Sequence, residues 1–124
     1  MKDSAGAPIR VLLVEDSDVY RESLVFLLAA RGDVDVVAAV ADGASAVRAF
    51  AEHAPDVVVL DYRLPDVDGA AVAAELDVGA CIVFLSASAG RDEYDAASSA
   101  GAALVRKDEG MDALVDAVRK AAGR

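Results

Sequence analysis

Residues 57–69 read Val57-Val58-Val59-Leu60-Asp61-Tyr62-Arg63-Leu64-Pro65-Asp66-Val67-Asp68-Gly69. A short, valine-rich apolar run meets a single acid, and a turn segment with two further acids follows. An apolar run of this length without polar alternation reads as a strand buried on both faces, the form strands take in parallel sheets. Four more such runs lie on either side, at residues 9–14, 34–40, 81–85 and 102–105. Between them the apolar spacing becomes helical. Tyr20, Leu24, Leu27 and Leu28 form one stripe, and Met111, Leu114, Val115 and Val118 another. Ser17 or Asp18 suits the start of the first helix and Gly32 its end. Strands alternating with helices predict a (βα)5 doubly wound five-stranded parallel sheet with helices on both faces.

A length of 124 residues suits one domain, and 56% apolar residues suffice for its core. The expected domain runs over residues 9–121, with a flexible N-terminus at 1–8 and a C-terminal tail at 122–124. No apolar run approaches the roughly 18 residues of a membrane span, and residues 1–8 lack the charged-then-apolar order of a signal peptide. A lone cysteine, Cys81, fits a reducing, cytoplasmic setting and is expected to be a buried, inert thiol. The net charge of −10 argues against direct nucleic-acid binding by this domain. It directs attention to where the carboxylates gather.

Open sheets of this class bind ligands at the carboxyl ends of their strands. Glu15 and Asp16 follow the first run, Asp61 the third, Ser86 the fourth, and Arg106 and Lys107 the fifth. Carboxylates held together repel unless a cation offsets them. Hard oxygen ligands too few for a calcium cage suit Mg²⁺ shared with a phosphate. Lys107 and Ser86 can then contact phosphoryl oxygens, which leaves Asp61 as a carboxylate nucleophile able to accept the group.

This ordered set, Glu15-Asp16, Asp61, Ser86-Ala87 and Lys107, resembles the receiver domain of two-component response regulators, a flavodoxin-like (CheY-like) fold. The likeness runs over about residues 9 to 121. It implies that Asp61 is the phosphorylation site, forming a 4-aspartylphosphate with a phosphoryl group from a sensor histidine kinase. It implies that Asp16 ligates Mg²⁺ directly, Glu15 through water and Arg63 through its backbone carbonyl. Lys107 would pair with the phosphate and Ser86 turn toward it, while small Ala87 leaves Asp61 open and Pro65 and Gly69 shape the following loop. Arg63 and Ser88 would tune dephosphorylation. Such a domain is a signalling switch, not a turnover enzyme.

Arg21-Glu22-Ser23-Leu24, Asp42-Gly43, Asp61-Tyr62-Arg63-Leu64-Pro65 and Lys107-Asp108 narrow the resemblance to the NarL/FixJ-type subfamily, whose members usually continue into a DNA-binding domain that controls transcription. Truncation of such a protein is therefore favoured over a stand-alone regulator acting by protein contact. One departure is Leu104, where the family usually has an aromatic residue that moves with the switch; it leaves as an alternative an atypical receiver with weakened phosphorylation-dependent switching. Phe26 falls opposite the core stripe of its helix, which suggests a homodimer through the first and last helices.

Three other readings fit less well. A haloacid-dehalogenase-type phosphatase carries a second Asp two residues after its nucleophile, where Arg63 stands. An EF-hand over Asp66, Asp68, Gly69 and Glu75 would need a ligand where Leu64 stands; Asp66 and Asp68 are better read as turn and cap residues. A flavin phosphate would be repelled by Glu15-Asp16-Ser17-Asp18. His53, in a helix-to-strand loop, is expected at the surface.

Overall fold

A computed structural model describes residues 7–76, 81–87 and 90–123. Along the chain these form β1 (Ile9–Val14), α1 (Asp18–Ala29), β2 (Val34–Val40), α2 (Gly43–His53), β3 (Val57–Asp61) and α3 (Gly69–Leu76). Then come β4 (Ile82–Ser86), α4 (Arg91–Ala100), β5 (Ala103–Arg106), a 3-10 turn (Lys107–Glu109) and α5 (Met111–Ala121). The strands pair in parallel in the order β2-β1-β3-β4-β5. The chain reverses direction across the sheet between β1 and β3, the place where this topology opens a crevice.

Strand periodicity divides the core into two layers. Ile9, Val11 and Leu13 of β1, with Val57 and Val59 of β3, pack under Leu24 and Leu28 of α1 and Leu114, Val115 and Val118 of α5. Leu12 and Val14, with Val58 and Leu60, pack instead against Ala46 and Ala49 of α2 and Val72, Ala73 and Leu76 of α3. A strand with both faces covered has no place for polar alternation, hence the unbroken valine run.

Local chemistry sets the helix starts. The Ser17 hydroxyl accepts the Tyr20 N–H, Asp42 Oδ1 the Ser45 N–H, and Asp68 Oδ1 the Ala71 N–H. These are N-cap contacts, each satisfying a backbone donor that the helix leaves over.

Several expectations need correcting. The last three strands each extend to or begin one residue later than the apolar runs suggest, so Asp61 and Ser86 are the terminal residues of β3 and β4. Cys81 is half-buried, because the β3–β4 ladder starts at the Val58–Ile82 pair and leaves it outside. Leu27 is 41% exposed. It lies about 60° round the helix from Leu24, at the margin of the buried stripe, and lines a groove with Tyr20, Met111 and Leu114. Gly32 does not take a left-handed conformation, and α1 closes through the Ala30 N–H on the Phe26 and Leu28 carbonyls. His53 is half-buried, and its carbonyl accepts the Arg10 guanidinium at 2.7 Å. Phe26 stands 75% exposed, opposite the core as its helical position requires.

Candidate phosphoacceptor site

Every strand in this sheet points the same way, so the ends of β1, β3, β4 and β5 meet at one edge. Glu15, immediately after β1, is buried; Asp16 beside it is exposed; Asp61 at the end of β3 is only 5% exposed. One carboxylate oxygen from each of the three lies within 4.8 Å of the others. Lys107, the first residue after β5, places Nζ 2.8 Å from Glu15 Oε1 and 3.3 Å from Asp61 Oδ2. The same ammonium sits 4.7 Å from the centre of the Tyr20 ring, a cation–π contact that limits where it can swing.

Two carboxylates have been taken out of water here with one partly buried amine between them. Glu15 Oε2 accepts the Ser17 N–H at 2.9 Å. Glu15 Oε1 is sealed from solvent and accepts no hydrogen bond of acceptable geometry, so the charge of Lys107 is what offsets it. Burial, reinforced by the negative charge of Glu15, pushes the Asp61 carboxyl up from its ordinary 3.8 to about 6, against the opposing pull of the Arg63 N–H and Lys107. Burial works against the Lys107 ammonium, yet Glu15 and Asp61 together outweigh it and hold the amine charged above its ordinary range.

The loop after Asp61 is tied in three places. The Arg63 N–H donates to Asp61 Oδ1 at 3.1 Å, and the Gly69 N–H donates to the Tyr62 carbonyl. A side chain at residue 69 would put its Cβ 2.9 Å from the Asp61 carbonyl and 2.9 Å from Tyr62 Cα, so close backbone approach is why glycine stands there. The third tie reaches further. Asp66 Oδ1 and Oδ2 accept the N–H groups of Gly43 and Ala44, joining this loop to the start of α2. Asp66 and Asp68 are thus both occupied with helix starts.

Ser86 ends β4 beside Leu85, the register partner of Asp61. Its hydroxyl donates to Glu93 Oε2 of α4 at 2.9 Å. Glu93 was not among the site residues expected from sequence; the signal for it is a glutamate three residues after Gly90, the spacing of a helix-capping acid. Tyr20 was placed only in a helix stripe, and its contact with Lys107 leaves no mark in sequence. Ala87 follows Ser86 and is exposed. Ser88 lies outside the described residues.

The sequence matches the response regulator receiver domain family over residues 11–119. The chain belongs to that family. This receiver is 36% identical, over 95% of its length, to the probable transcriptional regulatory protein NarL of Mycobacterium tuberculosis, and covers 56% of it. It is 35% identical to the transcriptional regulatory protein PdtaR of the same organism, over 97% of the receiver and 60% of PdtaR. The receiver therefore spans a little over half the length of these two curated relatives. Among solved structures, the signal receiver domain of the M. tuberculosis NarL superposes with a TM-score of 0.86 at 34% identity, covering 94% of this chain and 98% of that one. A LuxR-family two-component response regulator from Aurantimonas sp. SI85-9A1 gives 0.87 at 32% identity, covering 95% and 88%. Among the described residues of the receiver, no helix is long and apolar enough to cross a membrane.

Proposed function

We propose that this receiver accepts a phosphoryl group on Asp61 from the phosphohistidine of a sensor histidine kinase, in a Mg²⁺-dependent reaction. The observation that carries the reading is the placement of Asp61. It is almost fully buried at a strand end, 3.3 Å from Lys107, with carboxylate oxygens of Glu15 and Asp16 within 4.8 Å. A buried glutamate oxygen without a hydrogen bond, beside two further carboxylates, fits a hard divalent cation. Asp16, Asp61 and the Arg63 carbonyl would hold Mg²⁺, with Glu15 reaching it through water, and the ion would neutralise charge on the transferring phosphoryl oxygens.

The protein's own groups supply the rest. An Asp61 carboxylate oxygen attacks phosphorus in line with the departing histidine nitrogen. As the O–P bond forms the P–N bond breaks, and its electron pair returns to the imidazole. Lys107 moves its charge from Glu15 and Asp61 onto a phosphoryl oxygen, and the Ser86 hydroxyl donates to another. Exposed Ala87 leaves room for the donor. The output we assign is control of transcription through a DNA-binding region distinct from the receiver.

Incubation with Mg²⁺ and acetyl phosphate should add one phosphoryl group to the wild type and none to Asp61→Asn. An unmodified wild type that also ignores beryllofluoride would refute the assignment.

A homodimer is supported by one further observation. Val19 and Phe26, seven residues apart on one face of α1, are 78% and 75% exposed. Phe26→Glu should shift a concentration-dependent dimer to monomer in sedimentation; a wild type that stays monomeric at all concentrations excludes it.

A further inference from the structure

A serine hydroxyl carries one proton and donates to one acceptor at a time. In this structure that acceptor is Glu93 Oε2, with both side chains buried, at 3% and 4% exposure. The other oxygen of the same carboxylate, Oε1, accepts the Gly90 N–H at 2.6 Å. Gly90 precedes α4 and has no side chain to cap it, so Glu93 supplies the capping oxygen for the start of the helix. One carboxylate therefore joins the last residue of β4 to the first turn of α4. Arg63 Nε lies 3.8 Å from Glu93 Oε2, but its side chain is largely in solvent, so that charge is a weak substitute.

We propose that Glu93 is a positioning residue for the phosphoacceptor site: it holds the Ser86 hydroxyl away from Asp61 until a phosphoryl oxygen competes for it, and its release loosens the first turn of α4. The inference deepens the phosphoacceptor reading and rests on it. When Ser86 turns to Asp61, Glu93 Oε2 is left as a buried anion without its hydrogen bond, a costly state. The carboxylate must then move toward Arg63 or water, and the Gly90 contact moves with it. Leu104, across the β4–β5 ladder from Phe84, offers no polar atom to take part. The loss of one hydrogen bond thus reaches the first turn of α4.

The test is beryllofluoride binding in the presence of Mg²⁺, followed by amide spectra of the intact chain. Glu93→Ala frees the hydroxyl and should tighten beryllofluoride binding roughly tenfold, the scale of a net hydrogen bond to a charged group. Glu93→Gln keeps the side-chain shape and should change it in the same direction by less, which decides the matter if the alanine variant folds poorly. In a Ser86→Ala background the Glu93 substitutions should have no effect, since no hydroxyl remains to release. Amides of residues 91–94 should shift on beryllofluoride addition in the wild type and stay still in Ser86→Ala, while amides around Asp61 shift in both. Equal Glu93 effects in both backgrounds, or shifts in residues 91–94 without the serine hydroxyl, overturn the proposal and leave the acceptor reading standing. A wild type that does not bind beryllofluoride overturns both.

Discussion

Lys107 Nζ stands 2.8 Å from Oε1 of Glu15, a side chain with 1% exposure, and its charge is what offsets that oxygen. Removing one partner of such a pair leaves an uncompensated buried charge, which costs more than the pair itself contributes. Lys107→Ala should therefore lower unfolding free energy by on the order of 3 kcal/mol in urea titrations at pH 7. Added Mg²⁺ should restore more stability to this variant than to the wild type, since the cation would replace the missing charge. A variant as stable as the wild type would mean that Glu15 finds other compensation.

Folding makes the Asp61 carboxyl harder to ionise, raising it from 3.8 to about 6. The stability this contributes is complete below pH 3.8 and is lost as pH rises through about 6. Asp61→Asn cannot ionise, so without metal at pH 7 it should be more stable than the wild type by about 1–3 kcal/mol. The two curves should converge near pH 4. Denaturation midpoints between pH 4 and 7.5 would show a pH-independent gap if desolvation of Asp61 were unimportant.

A Cβ at residue 69 would meet backbone atoms of Asp61 and Tyr62 at 2.9 Å. Backbone cannot rotate aside as a side chain can, so Gly69→Ala should cost about 1–3 kcal/mol. It should also slow phosphorylation by acetyl phosphate, because the displaced atoms belong to Asp61, the proposed acceptor. Unchanged stability together with an unchanged rate would place the loop elsewhere.

Asp66 accepts two N–H groups at the start of α2, and those contacts, the Gly43 N–H first, hold its carboxyl below the ordinary range. Asp66→Ala should lower the denaturation midpoint, because the Gly43 and Ala44 N–H groups lose their acceptor. Amide exchange should quicken at Gly43 and Ala44. Exchange unchanged at those two residues would show that the tie is not held in solution.

The strands, the burial of β1, β3 and β4 and the identity of the residues at the strand ends were legible in the sequence, because a strand covered on both faces must be apolar without interruption; β2 and β5 read the same way but lie at the sheet edges and bury only Val34 and Val105. Val57–Leu60 could be nothing else, and Asp61 had to stand where that run met solvent. Asp68 was likewise legible as a cap for the helix that follows it and Asp66 as a turn residue, though not the reach of Asp66 back to α2. Helix margins were less so: Leu27 and Cys81 are apolar, and their exposure depends on which neighbours arrive, not on their own period.

The sequence by itself determined which residues stand at the strand ends and that a parallel sheet would bring them to one edge, since the periods of strands and helices and their alternation follow from local patterning. Only the tertiary structure decided how those groups are held before any phosphate arrives. Lys107 divides its charge between Glu15 and Asp61, Asp66 reaches back to α2, and the Ser86 hydroxyl is given to Glu93. Hydrogen bonds between elements depend on distances of a few tenths of an ångström. Such distances are set by how helices settle on the sheet, and no linear pattern records them.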